Sequence, residues 1–258
     1  MPPENPLSEI SLSMARFAEI FAPLVNQVQA MMLDTANQLR DSLLPVFTAL
    51  AEAGVRLKKL PDELKPAISE MAKRGWYISA EMGISELQEF RSAIESEDFE
   101  HLDDSMQSWI DAEIENILRR ACRQFPNRQS IISSAIRAHI SGDFSLSVPV
   151  LLIQTEGMCI ETFGVKLFST NNGIPAMRSV VEDLIDSPLS EVFLLPMQEQ
   201  FGITAKEKIR HQFPEAPNRH EILHGIDTGY MSRKTSSKAL SLLEYFLTVV
   251  IPPEKLKL

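Results

Sequence analysis

Cysteine is scarce in this chain, with only Cys122 and Cys159 among 258 residues. Two cysteines so far apart form neither a disulfide framework nor the closely paired spacing of a zinc site. Long apolar runs are also missing, because residues 148–153 and 242–251 fall well short of the roughly 20 residues that a membrane-spanning helix needs. The amino-terminal residues 1–5 lack the basic start and apolar stretch of a secretory signal. The sequence therefore predicts a cytoplasmic protein with no membrane partner.

Basic residues are outnumbered, with 25 Lys and Arg against 35 Asp and Glu and a formal net charge of −10. This balance argues against a protein that coats nucleic acid without specificity, because neutralising phosphates needs an excess of Lys and Arg. The charge is nevertheless uneven: residues 204–238 contain seven basic and four acidic residues. This basic zone predicts either a confined site for an anionic substrate or chance variation on a solvated face, and charge alone leaves both open.

Helical periodicity dominates the chain. Residues 7–50 carry apolar side chains at three- and four-residue spacings, and no window shows the alternation of a strand, so we predict an all-α fold. The acidic stretch 95–104 is either a linker or an exposed helix start, and Asn171-Asn172-Gly173 predicts a turn. Further helices are predicted over residues 62–73, 85–96, 105–123, 128–140, 144–163, 177–185 and 235–250, of which 144–163 is the most apolar and is expected to be central.

Two regions are predicted from this pattern. Residues 1–103 form an amino-terminal helical region that is regulatory or dimerising, and residues 104–258 form a second helical domain. The apolar stripe of the first region offers a place where a regulatory partner docks, or it packs as ordinary core.

The segment from Arg219 to His224 matches two different active-site motifs. The first is H-E-x-x-H, formed by His220, Glu221 and His224, the zinc-binding helix of metallopeptidases. Its two histidines would hold the metal with Glu221 as general base, and Glu244 is a candidate third ligand.

The residues around this segment argue against the zinc motif. Pro217-Asn218 predicts a helix start in which Asn218 is the N-cap and Glu221 lies at N3, so that Glu221 is expected to reach back to a backbone N–H. The longer zincin extension also fails, because Asp227 stands where that extension has Gly. We therefore predict a site without a metal or other cofactor, and the zinc metallopeptidase remains an alternative.

The second motif is R-x-x-x-x-H, formed by Arg219 and His224. With Asn218 as the cap, Arg219 lies at N1 and His220 at N2, beside the unpaired N–H groups that bind phosphate at helix N-termini. In a regular helix the two motif residues are separated by about 500° of rotation, or roughly 140° around the axis. They then converge only if a second copy contributes to the site, so we predict a symmetric homodimer.

The residues 218–225 resemble the R-x-x-x-x-H motif of HEPN-domain ribonucleases, including the variant with a polar residue directly after the arginine. Gly225, the polar loop and the helix over residues 236–250 resemble bacterial members of the abortive-infection type. Residues 147–158, with Gln154-Thr155-Glu156-Gly157 at their end, resemble the helix that precedes the motif. The similarity covers about residues 105–250 and implies a helical bundle of HEPN type.

The resemblance implies a metal-independent endoribonuclease in which the RNA 2′-OH attacks the adjacent phosphate, so that DNA is inert. Arg219 would bind the phosphate and stabilise its developing charge, and His224 would be the general acid or base. His220 and Asn218 would orient the substrate or hold the helix start. Glu156 is either a supporting residue or an ordinary polar residue at a helix end.

Such an enzyme endangers its host, so we expect a toxin or phage-defence effector that is held inactive, with an antitoxin or regulatory subunit as a partner. The alternative is a HEPN-like module without catalysis, acting as a scaffold or a nucleotide-binding domain.

Overall fold

The computed structural model describes residues 59–205 and 207–251, together with the isolated positions 23, 26 and 27. The helical pattern predicted over residues 7–50 therefore lies almost entirely outside the described residues. The described residues from Lys59 to Ile251 belong to one compact unit, and the predicted division between residues 103 and 104 stays a prediction. No helix in the described part of the chain is both long and apolar enough to cross a bilayer.

The described part is built almost wholly from helices, which confirms the all-α prediction. One small antiparallel hairpin, β1 (Thr170–Asn171) and β2 (Ile174–Pro175), interrupts them at the predicted turn. The helices are α1 (residues 59–73), α2 (Ile84–Glu95), α3 (Phe99–Gln124), α4 (Gln129–Ile140), α5 (Phe144–Phe163), α6 (Arg178–Glu182), α7 (Pro188–Gln198), α8 (Glu207–Arg210), α9 (Arg219–Leu223) and α10 (Arg233–Tyr245), which continues as a π-helical turn over Phe246–Val250.

Local signals explain most of the helix bounds. They also explain the two main differences between the predicted and the observed helices. The acidic stretch 95–104 contains the end of α2 and, from Phe99, the start of α3. The Asp98 side chain caps α3 by accepting a hydrogen bond from the backbone N–H of His101 at 3.1 Å. Helix α7 was not predicted, although Ser187 and Ser190 form a reciprocal capping box and Pro188 occupies its first position.

Helix α5, expected to be central from its apolar content, packs against α4, α9 and α10. Helix α10 is the more completely buried of the two. Every residue from Ser236 to Tyr245 is buried, and α10 packs against both α3 and α5. Ser236 has partners on two other helices: its Oγ lies 2.8 Å from His139 Nδ1 and 2.6 Å from Ser147 Oγ. Such partners satisfy buried polar groups, so polarity in the sequence did not indicate exposure here.

Glu244 is the one acidic residue of α10 and is 1% exposed. Its carboxylate accepts hydrogen bonds from Ser79 Oγ at 3.0 Å and from the Arg120 guanidinium. Burial outweighs these contacts and raises the pKa of Glu244 to about 7. Arg120 also lies 3.2 Å from the exposed carboxylate of Glu81.

This burial makes the stability of the protein depend on pH. Because the folded protein holds the Glu244 proton more tightly than the unfolded chain does, the free energy of unfolding is expected to fall as pH rises from 4.5 to about 7. The loss attributable to Glu244 is up to about 3 kcal/mol. Urea unfolding at pH 5 and pH 8 should show this loss in the wild type and a much smaller one in Glu244→Gln. Glu81→Gln is the matched control, and equal pH dependence in all three proteins would contradict the prediction.

Candidate active site

A cavity of about 510 Å³ opens beside the start of α9. Its walls come from the hairpin, from the turn at residues 202–204, from the first turn of α9 and from the loop after it. The hairpin turn is tight because Asn172 and Gly173 both adopt positive φ. The lining residues are Phe168, Ser169, Thr170, Ile203, Ala205, Asn218, Arg219, His220, Glu221 and Ile226.

Asn218 is the N-cap of α9, as predicted. Its Oδ1 accepts a hydrogen bond from the backbone N–H of Glu221 at 3.1 Å, and its Nδ2 donates to the carbonyl of Ala205 at 2.9 Å. The side chain is 2% exposed, so of its two predicted roles the structure shows that of holding the helix start. The Glu221 carboxylate does not follow the capping-box prediction, since it faces Arg210, with 3.5 Å between Oε2 and Nε.

The structure brings Arg219 and Glu156 together. Helix α5 packs against α9, and Arg219 Nη2 donates to Glu156 Oε2 at 2.7 Å, with side-chain exposures of 27% and 15%. Phe168 flanks the same guanidinium, whose Cζ lies 5.2 Å from the centre of the ring. The guanidinium is therefore held at one edge by a carboxylate and flanked by an aromatic ring.

His220 and His224 form an exposed pair beside Arg219. Their ring centres lie 4.4 Å apart, and both side chains are solvent-accessible. Helix α9 has only five residues and His224 is its C-cap, so the rotation calculated for a regular helix does not apply to the whole motif. A single turn also has little macrodipole, and the expected phosphate site at the helix start depends on the Arg219 charge instead.

The zinc-binding alternative loses the third ligand that the sequence suggested. Glu244 is engaged by Ser79 and Arg120 in the interior, and α9 ends before the second histidine of the motif. Among the described residues, no group of three or more histidine, cysteine or acidic side chains is placed to hold a metal ion.

The basic zone over residues 204–238 is not a general anion-binding face, because several of its charges have internal partners. These partners are Asp111 Oδ2, 2.5 Å from Arg233 Nη2, Asp103 Oδ2, 2.7 Å from Lys234 Nζ, and the Glu215 carbonyl, 2.7 Å from Lys238 Nζ. Burial also lowers the pKa of Lys238 to about 8.

Phe168 and Thr170 are cavity residues that the sequence did not indicate. Phe168 lies just before the hairpin and Thr170 begins it, about 50 positions before α9 in the chain, and no local pattern marks their place beside that helix. Comparisons of the chain with protein-family models, with curated proteins and with solved structures found no match.

Proposed function

We propose that the protein is a metal-independent endoribonuclease of HEPN type, with Arg219, His220 and His224 as its catalytic residues. The observation that carries the proposal is an oriented Arg219 guanidinium and the accessible His220 imidazole at one cavity. The His224 ring lies 4.4 Å from that of His220. A cation that binds phosphate and groups that move protons are what RNA cleavage by its own 2′-OH requires.

The reaction needs one proton removed and one proton supplied. We assign removal of the 2′-OH proton to His224, after which the 2′ oxygen attacks the adjacent phosphorus. The bond to the 5′ oxygen breaks, and a protonated His220 supplies the proton that leaves this oxygen as a hydroxyl. Arg219 neutralises the charge that grows on the phosphate oxygens. The products are a 2′,3′-cyclic phosphate and a 5′-OH.

Glu156 is a positioning residue in this proposal. It engages Nη2 of Arg219, and a guanidinium has five N–H donors in a fixed fork. The remaining donors are sufficient to bind a phosphate while Glu156 holds the plane of the group.

The same ion pair also supports the second candidate function, a nucleotide-binding module without catalysis, because it neutralises Arg219 when no anion is bound.

We place the dimer interface on an exposed stripe of α5. Leu146, Ile153 and Ile160 are exposed at seven-residue intervals, the spacing of a seam between two helices. Glu156 lies within about 60° of Ile153 around the helix and about 4.5 Å further along its axis. A second copy packed on this stripe, with the two-fold axis near Ile153, brings both Glu156–Arg219 pairs close to the axis. The occupant of this face is therefore a second copy of the chain.

In the cell, an enzyme of this kind acts as a growth-arresting toxin or phage-defence effector and is restrained by an antitoxin or regulatory subunit.

Purified protein is expected to cleave single-stranded RNA in excess EDTA and to leave DNA of the same sequence intact, because only RNA carries the attacking hydroxyl. Mass spectrometry of the products should show 2′,3′-cyclic phosphate ends. A substrate with a single 2′-O-methyl group is the matched control and should resist cleavage at that position only. Activity that EDTA abolishes and zinc restores, with less bound zinc in His220→Ala, would favour the metallopeptidase-type site instead.

A further inference from the structure

Two buried polar atoms without partners belong to residues that line the cavity at α9. In the part of the chain that the structure describes, seven buried side-chain polar atoms lack a hydrogen-bond partner, and Thr170 Oγ1 and Arg219 Nε belong to lining residues. A third, Gln200 Oε1, belongs to the side chain whose Nε2 donates to the Gly173 carbonyl at the hairpin turn. Each such atom costs about 1–3 kcal/mol. The two atoms on lining residues are groups that a ligand in the cavity would complete.

The walls of the cavity define the chemistry of that partner. Phe168 is an aromatic wall, and Ile203 and Ile226 add apolar surface. Thr170 brings a hydroxyl that can donate or accept, and Arg219 brings a cation. The volume lies within the range of small-molecule sites. A flat ring with polar edges, joined to an anionic group, matches this combination.

We propose that the cavity is a nucleobase-binding subsite. The base packs its ring against Phe168 and the apolar wall, Thr170 Oγ1 bonds to the edge of the base, and the phosphate attached to the nucleoside meets Arg219. The inference rests on the proposed ribonuclease function, to which it adds base selectivity at the cleavage site. Thr170 is the residue that selects the base, and Phe168 supplies affinity without selectivity, because every base has a ring face to stack.

Binding of the four nucleoside 3′-monophosphates and of inorganic phosphate to the full chain tests this subsite by calorimetry. Wild-type protein should bind one nucleotide best and every nucleotide more tightly than inorganic phosphate. Thr170→Val should weaken the preferred nucleotide by about two- to tenfold, the loss of one hydrogen bond. Phe168→Leu should weaken all four by about fivefold or more. Thr170→Val should not change the affinity for inorganic phosphate, which meets Arg219 alone.

Two comparisons separate recognition from damage to the fold. Thr170→Val removes a hydroxyl that has no partner, so the melting temperature should not fall. Thr162→Val is the matched control, since Thr162 Oγ1 donates to the Met158 carbonyl in α5, away from the cavity, and it should leave nucleotide binding unchanged. Nucleotides that bind no more tightly than inorganic phosphate, or both cavity variants with wild-type affinity, would overturn the subsite.

Cleavage assays on the same proteins distinguish this inference from the proposed function. If the protein cleaves RNA and its base preference is unchanged in Thr170→Val and Phe168→Leu, the subsite is wrong and the ribonuclease proposal stands. If the protein cleaves no RNA but binds nucleotides in a way that depends on Phe168 and Thr170, the subsite stands and the ribonuclease proposal is wrong.

Discussion

Arg219→Ala and His224→Ala are each expected to slow RNA cleavage by at least about 100-fold, because one removes the charge that stabilises the transition state and the other removes a proton carrier. Their effects on stability should differ. His224 is exposed, so its loss should leave the free energy of unfolding unchanged. Arg219→Ala leaves Glu156 without its partner at 15% exposure, and a loss of about 1–2 kcal/mol is expected. Single-turnover cleavage and urea unfolding measure the two effects.

Matched controls for these variants lie elsewhere on the surface. Arg233 also pairs with a carboxylate, that of Asp111, and His211 is an exposed histidine outside the cavity. Arg233→Ala and His211→Ala should keep wild-type cleavage and should still arrest growth when overproduced. Persistent cleavage in both Arg219→Ala and His224→Ala would remove this pair from the mechanism and leave the nucleotide-binding module as the better account.

Ile153→Asp is expected to convert a dimer into a monomer at micromolar concentrations without unfolding the protein. Cleavage should slow, because the second Glu156–Arg219 pair no longer lies beside the site. An aspartate at the centre of the α5 stripe would be buried and unpaired against the second copy, which costs several kcal/mol. In the monomer the position is exposed, so the helix should tolerate the change. Light scattering, circular dichroism and cleavage of RNA measure the three properties.

Ile84→Asp is the control for this interface, because Ile84 is equally exposed but lies on α2. It should leave both the mass in solution and the activity unchanged. A wild-type protein that is a monomer and still cleaves RNA, or an Ile153→Asp variant that stays dimeric, would contradict the interface.

Local chemistry explains how much of the fold the sequence predicted. The bounds of α5 were predicted correctly because its apolar stretch ends at Gly164, which adopts the left-handed conformation. Asn218 was identified as a cap because a short amide side chain before a charged first turn favours that role. Long-range packing has no such local signal. The burial of Lys238 depends on the Glu215 carbonyl and the Trp76 ring. Both lie outside α10, so the apolar pattern of that helix does not predict them.

The candidate site divides in the same way. Arg219, His220 and His224 are neighbours in the chain, so their proximity follows from one turn of helix. The partner of Arg219 was suggested only by the resemblance of the segment around Glu156 to a family helix, because α5 and α9 meet across 63 positions. Phe168 and Thr170 had no signal at all, since a hairpin of two-residue strands leaves little trace in hydrophobic patterning.

The Asn218 side chain links two separate parts of the backbone, because its amide forms hydrogen bonds with both the carbonyl of Ala205 and the first turn of α9. The chain between them leaves and returns at nearly the same point, as the base of an Ω-loop does. Extra residues at its exposed positions His211 and Gln212 would lengthen the excursion while its two ends stay fixed, and the entropy of closing a loop grows only slowly with length. This tip can therefore vary in length, or carry an inserted peptide tag, independently of the position of Arg219.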